Sequence, residues 1–122
     1  MKNLIIASTS TIHGGSYLDY LLPVLEHHFE NCETVLFIPY ARPGGITEDA
    51  YTENVRAAFL KINKKVVGLH CFENPAEAIA SAKGIFTGGG NTFLLVTQLY
   101  ENQVMEALAK AIENGTPYLG TS

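Results

Sequence analysis

Residues 85–93 read Ile-Phe-Thr-Gly-Gly-Gly-Asn-Thr-Phe, a short buried-strand run, three glycines, and a residue pair suited to start a helix. Three residues without Cβ let the chain turn tightly and bring backbone N–H groups close to a ligand oxygen. Asn91 or Thr92 then caps the next helix, so the loop lies at the positive end of a helix dipole. Phosphate cradling and oxyanion stabilisation both want that arrangement. The loop is not a Walker A motif, because no Lys-Ser/Thr follows, and it is not Gly-x-Gly-x-x-Gly. A tight turn without any ligand is the plainer alternative, although two glycines would suffice for it.

The same strand-to-helix step repeats along the chain. Apolar runs of strand length fall at Leu4–Ala7, Thr34–Ile38, Val66–Leu69, Ile85–Thr87 and Tyr118–Thr121. They are continuous rather than alternating, the pattern of strands covered on both faces. Between them lie helical stripes: Leu18, Leu21, Leu22, Leu25 and Phe29; Tyr51, Val55, Phe59 and Ile62; Val104, Leu108, Ala111 and Ile112. Pro23 must kink the first stripe or lie in its first turn. Asn74-Pro75-Ala76-Glu77 supplies an N-cap, a proline at the first helical position and a Glu at the third. Asn114-Gly115 before Pro117 is a helix stop. The reading is an α/β fold, one parallel sheet with helices on both faces, and 3-2-1-4-5 is the strand order it favours.

Composition narrows the function. The chain has 122 residues, one domain's worth, with 47% apolar and 16% charged residues, unlike a disordered chain. Eight Lys plus Arg against twelve Asp plus Glu give a net charge of −4 without a basic cluster, which argues against nucleic-acid binding. The apolar run Leu4–Ala7 is far short of the roughly 20 residues of a membrane span, and short of a signal-peptide core. Cys32 and Cys71 stand far apart with no Cys-x-x-Cys and no His pair at metal spacing, so neither a metal site nor a disulfide framework is expected. A soluble, cytoplasmic domain without a cofactor, acting without nucleic acid or membrane, is the expectation.

Ligands of such sheets bind at the carboxyl ends of the strands, near the switch in strand order. The segments that matter are therefore Ser8-Thr9-Ser10, Pro39-Tyr40, His70-Cys71, Gly88–Thr92 and Gly120-Thr121-Ser122. Gly-Thr-Ser after a buried strand is the first half of a nucleophile elbow, Gly-x-Ser-x-Gly. A general base must come within about 3 Å of such a hydroxyl, directly or through one water. Of the four histidines, His13 in the first loop is nearest the crevice. His27 and His28 end a helix, facing solvent or its C-terminal dipole, and His70 ends a strand remote from Ser122. Asp19, Glu48, Asp49 and Glu53 suit helix starts, where carboxylates are favoured on dipole grounds alone. Tyr40 and Arg42 are candidates for a pocket lining or a solvated loop.

Three stretches together resemble peptidase E, the α-aspartyl dipeptidase family of serine peptidases: Val35-Leu36-Phe37-Ile38-Pro39-Tyr40-Ala41, Gly88-Gly89-Gly90-Asn91-Thr92-Phe93, and Thr116-Pro117-Tyr118-Leu119-Gly120-Thr121-Ser122. Leu22-Pro23 and Ser8-Thr9-Ser10-Thr11 are similar as well. The resemblance implies a class I glutamine-amidotransferase-like sheet, three-layered in the flavodoxin manner. It implies Ser122 as the catalytic nucleophile, and Gly89 or Gly90, with Asn91 beside them, as the oxyanion and substrate-binding loop. It also implies a small peptide substrate with an N-terminal Asp. Thr121 departs from the Trp frequent in that family, and Gly-Thr-Ser is similar to the elbow of cyanophycinases, the second reading. The family's base, acid and the remainder of its elbow lie beyond the Ser, so residues 1–122 correspond to the N-terminal half of a longer domain. These residues alone are therefore expected to catalyse little or nothing. A catalytically incomplete module that binds a small anion is the reading from a different class. A flavodoxin-like nucleotide binder is weaker, for want of any residue signature for ribose or flavin.

Overall fold

The computed structural model describes residues 2–7 and 18–121; Ser8-Thr9-Ser10, His13 and Ser122 lie outside the described residues. In chain order the elements are β1 (Leu4–Ala7), α1 (Leu22–His28), β2 (Thr34–Ile38), α2 (Glu48–Leu60), β3 (Lys65–Gly68), α3 (Pro75–Ser81), β4 (Ile85–Thr87), α4 (Thr92–Glu101), α5 (Met105–Glu113) and β5 (Tyr118–Thr121). Single 3₁₀ turns occupy Asp19–Leu21, Pro43–Gly45 and Leu69–Cys71. The helix signals act where the sequence puts them. Asn74 accepts from the Glu77 N–H, Pro23 lies in the first turn of α1, and Gly115 beyond α5 adopts φ +86°.

All pairings are parallel and the strand order is β1-β5-β4-β2-β3. The expected order 3-2-1-4-5 put β1 at the centre; it lies instead at the edge of the described sheet, beside β5. Its apolar run misled because it is not covered on both faces: Leu4 is 42% and Ile6 69% exposed, while Ile5 packs inward. Apolar content sets how deeply a strand is buried, but the crossovers decide which strand it pairs with.

Alternation along the strands divides the core in two. Val35, Phe37, Phe86 and Leu119 face α1 and α2, meeting Leu25, Phe29, Val55 and Phe59. Leu36, Ile38 and Ile85 face α3, α4 and α5 through Ile79, Leu99 and Leu108. Helices thus cover both faces, and the fold is three-layered as expected. Phe86 anchors the first core, its ring 5.0 Å from Phe37 and 5.8 Å from Phe59. Phe86→Ala should lower unfolding free energy by about 3–5 kcal/mol, read from denaturant melts.

β2 leads outward to β3, whereas β4 leads the other way to β5. The chain therefore changes direction between β2 and β4, the switch point at which ligands of such sheets bind at the carboxyl edge.

Candidate active site

The loop Gly88–Asn91 leaves β4 at that switch point. A Cβ on Gly88 would lie 2.7 Å from Tyr51 Cζ, so Gly88 makes room for the phenol that crosses the loop. Tyr51 Oη donates to Gly89 O at 2.8 Å, and its ring stands edge-on to Phe37. Gly89 N–H donates to Thr121 Oγ1 at 3.0 Å in a buried bond. Gly90 has φ +143°, and a Cβ there would lie 2.8 Å from both Ala41 O and Pro43 N. Asn91 N–H donates to Ala41 O at 2.8 Å, tying the loop to the end of β2. Asn91 Oδ1 accepts from Leu94 N–H at 3.0 Å and caps α4.

One consequence separates the two glycines singled out as oxyanion donors. The N–H of Gly89 is engaged by Thr121, whereas that of Gly90 has no partner among the described residues. Gly90 N–H sits one residue before the N-cap Asn91, at the positive end of the α4 dipole. The Thr121 bond also joins the end of β5 to the glycine loop, and the register Thr87↔Gly120 aligns the two strand ends. Ser122 follows Thr121 directly in sequence.

The remaining polar residues divide by strand. Tyr40 is buried, and burial, with the Glu48 charge adding, pushes its phenol up to about 12. It is therefore a neutral hydrogen-bonding group at physiological pH. Arg42 is committed locally: its Nε donates to Ile46 O at 2.9 Å, holding the turn at Pro43–Gly45. His27 is exposed and pairs with Glu30. His28 does not face solvent alone: its Nε2 lies 2.9 Å from Tyr118 O at the start of β5. Burial pushes its imidazole below the ordinary value, the bond to Tyr118 partly offsets this, and His27 adds to the lowering. His70 lies beyond β3, with β2 and β4 between it and β5, about 14 Å away at three strand spacings. None of these three histidines is within reach of the Thr121 corner. One contact was not legible in the sequence: Asp49 in the first turn of α2 meets His70 Nε2 at 2.6 Å. A cleft of about 690 Å³ between α3 and the β2–β3 face, lined by Leu36, Val67 and Glu77, does not touch the glycine loop.

A parallel sheet between two helix layers, with a glycine loop at its switch point tied to the end of β5, places this chain among three-layered α/β proteins, whose ligand crevice lies at the carboxyl edge of the sheet. More particularly, the chain belongs to Peptidase family S51, whose model matches residues 4–122. It is 39% identical over 124 residues to the "Probable alpha-aspartyl dipeptidase" of Drosophila melanogaster, covering 99% of this chain and 50% of that one. It is 37% identical over 120 residues to "Peptidase E" of Streptomyces coelicolor, with 98% and 48% covered. A crystal structure of a peptidase from an acI-B1 Actinobacterium superposes with TM-score 0.76 at 19% identity, covering 100% of this chain and 55% of that one, which shows the shared fold. The chain thus spans about half the length of the curated relatives it matches. Among the described residues, no helix is long and apolar enough to cross a membrane.

Proposed function

We propose that residues 1–122 form the N-terminal half of a serine dipeptidase domain that removes an N-terminal Asp from dipeptides. The observation that carries this reading is the buried bond from Gly89 N–H to Thr121 Oγ1, which locks the residue before Ser122 against the glycine loop. Ser122 Oγ attacks the scissile carbonyl carbon, and its proton passes to a base outside the described residues. The carbonyl oxygen becomes the oxyanion, for which Gly90 N–H is one donor, with Gly89 and Asn91 shaping the loop around it. Collapse expels the amine, which takes up the proton, and leaves an ester on Ser122; water then hydrolyses the ester and releases Asp. The relatives named as peptidase E and alpha-aspartyl dipeptidase support the substrate class. The free thiols of buried Cys32 and exposed Cys71 fit a reducing, cytoplasmic setting.

Thr121 favours one competing substrate. The hydroxyl that engages Gly89 belongs to the Gly-Thr-Ser elbow similar to that of cyanophycinases, which points to β-linked Asp-Arg peptides. The test is a fluorophosphonate probe on the full-length protein, followed by peptide assays. Stoichiometric labelling of Ser122, with release of Asp from α-linked Asp-X dipeptides, is the expected result. Labelling with cleavage only of β-linked Asp-Arg would transfer the assignment to the second reading. No labelling, with phosphate still bound at the loop, would leave an anion-binding module and overturn both peptidase readings.

A further inference from the structure

A second cluster of reactive side chains lies at the far side of the carboxyl edge. The 3₁₀ turn Leu69–Cys71 after β3 presents His70 and Cys71 side by side, and the first turn of α2 brings up Asp49. His70 Nε2 lies 2.6 Å from Asp49 Oδ1 and 3.7 Å from Cys71 Sγ. One ligand atom from each residue falls within 4.8 Å of the other two. Both neighbours address the same ring nitrogen. The trio therefore cannot work as a relay of nucleophile, base and orienting acid, which uses the two imidazole nitrogens separately. Three atoms of metal-ligating type within 4.8 Å of one another are instead a grouping that could hold a metal ion.

We propose that Asp49, His70 and Cys71 bind a divalent transition-metal ion of the zinc type, with a fourth coordination position left to water. Imidazole, thiolate and carboxylate are the donors zinc takes, and three protein ligands with one open position is a common zinc arrangement. With Zn–N of about 2.05 Å and Zn–S of about 2.3 Å, a tetrahedral ion sets N and S about 3.6 Å apart. The observed 3.7 Å between Nε2 and Sγ already matches. Nε2 and Oδ1, at hydrogen-bond distance, must open by about 0.7 Å to share the ion. The Asp49 side chain is 87% exposed and free to make that movement.

The rest of the site is set for this. His70 is 14% exposed, and its ring turns Nε2 toward Asp49 and Cys71. Its ring occupies the space a side chain on residue 68 would take: a Cβ on Gly68 would lie 2.6 Å from Nδ1. The ring is thereby held in place while Cys71 stays exposed to an incoming ion. His70 also lines a cleft of about 180 Å³ with Tyr40, Glu48 and Gln98, and the Glu48 carboxylate adds negative charge beside the cluster. Binding exchanges the Cys71 thiol proton, released to solvent, for a metal–sulfur bond, with no change in oxidation state. The site lies about 14 Å from the end of β5 and is independent of the reaction proposed there.

The experiment is a Co²⁺ titration of the metal-free full-length protein, followed by displacement with Zn²⁺. One Co²⁺ per chain, with a sulfur-to-cobalt charge-transfer band and the visible bands of tetrahedral cobalt, is expected. Cys71→Ser should abolish the charge-transfer band. Cys71→Ser, His70→Ala and Asp49→Asn should each weaken Zn²⁺ binding by more than the about 10–100-fold that loss of an outer-shell partner costs. His27→Ala, which removes an exposed histidine elsewhere, should change nothing. Circular dichroism of the variants separates loss of ligand from loss of fold, and Asp49→Asn, on an exposed side chain, is expected to keep the fold intact. No stoichiometric binding, a spectrum without the thiolate band, wild-type binding by the three variants, or one ion bridging two chains would overturn the proposal.

Discussion

Ser122→Ala in the full-length protein should lower kcat for an Asp-X dipeptide by about 10⁴–10⁶-fold while leaving the thermal midpoint unchanged. The size of the loss follows from what remains. Without Oγ no acyl-enzyme can form, and water must attack the carbonyl directly, helped only by the oxyanion donors and substrate binding. The three histidines of residues 18–121 are each engaged elsewhere. His28 is bonded to Tyr118 O, three residues before Thr121 and thus about 10 Å back along β5 at the rise of a strand. His70 is engaged with Asp49 across the sheet, and His27 pairs with Glu30 on the surface. Turnover within tenfold of wild type would end the elbow assignment. The fold is expected to hold, because Leu119, Gly120 and the Thr121 hydroxyl already fix the end of β5.

How much of this was legible in the sequence depends on the range of the interaction concerned. β2, β4 and β5 have the bounds their apolar runs prescribe, because a strand buried on both faces needs apolar residues at every position and tolerates few others. Asn74 and Asn91 cap the helices they precede, since a cap is satisfied within three residues. β1 shows where this fails. Leu4-Ile5-Ile6-Ala7 looks central, yet its place beside β5 is decided by pairing with residues more than a hundred positions away. The site divides in the same way. Three glycines announced a loop built for close approach, but only the Thr121 side chain, from 32 residues on, decides that Gly89 N–H is occupied. Asp49 read as a helix-start carboxylate, which the dipole alone explains. Its partner His70 is 21 residues away on another element, a pairing that no local spacing encodes.

Gly90→Val should cost about 2–4 kcal/mol of stability and, in the fraction that folds, lower kcat by about 10²–10³-fold. Two penalties coincide at this position. A φ of +143° is one that side-chain-bearing residues rarely adopt, and a β-branched residue fits it worst. The new Cβ would also sit 2.8 Å from Ala41 O, 2.8 Å from Pro43 N and 2.9 Å from Pro43 Cδ, atoms of backbone and ring that cannot swing aside. Relief requires the loop to lift away from the end of β2, breaking the bond from Asn91 N–H to Ala41 O. On the proposed function, that movement would turn Gly90 N–H away from the oxyanion, and losing one such donor costs a rate factor of that size. Gly44→Ala separates strain from clash. Gly44 also has positive φ, +63°, but among the described residues no atom lies within 4 Å of where its Cβ would stand. It should lose about 1 kcal/mol and keep its kcat, since a left-handed backbone alone costs that much and the turn at Pro43–Gly45 carries no donor in the reaction. Denaturant melts and kcat measured on both variants decide the matter. A Gly90→Val protein that unfolds early but turns over at the wild-type rate would confine the glycine loop to a structural role. Loss of kcat in Gly44→Ala as well would mean that strain anywhere near the end of β2 suffices, and that the position of the Gly90 N–H is not what sets the rate.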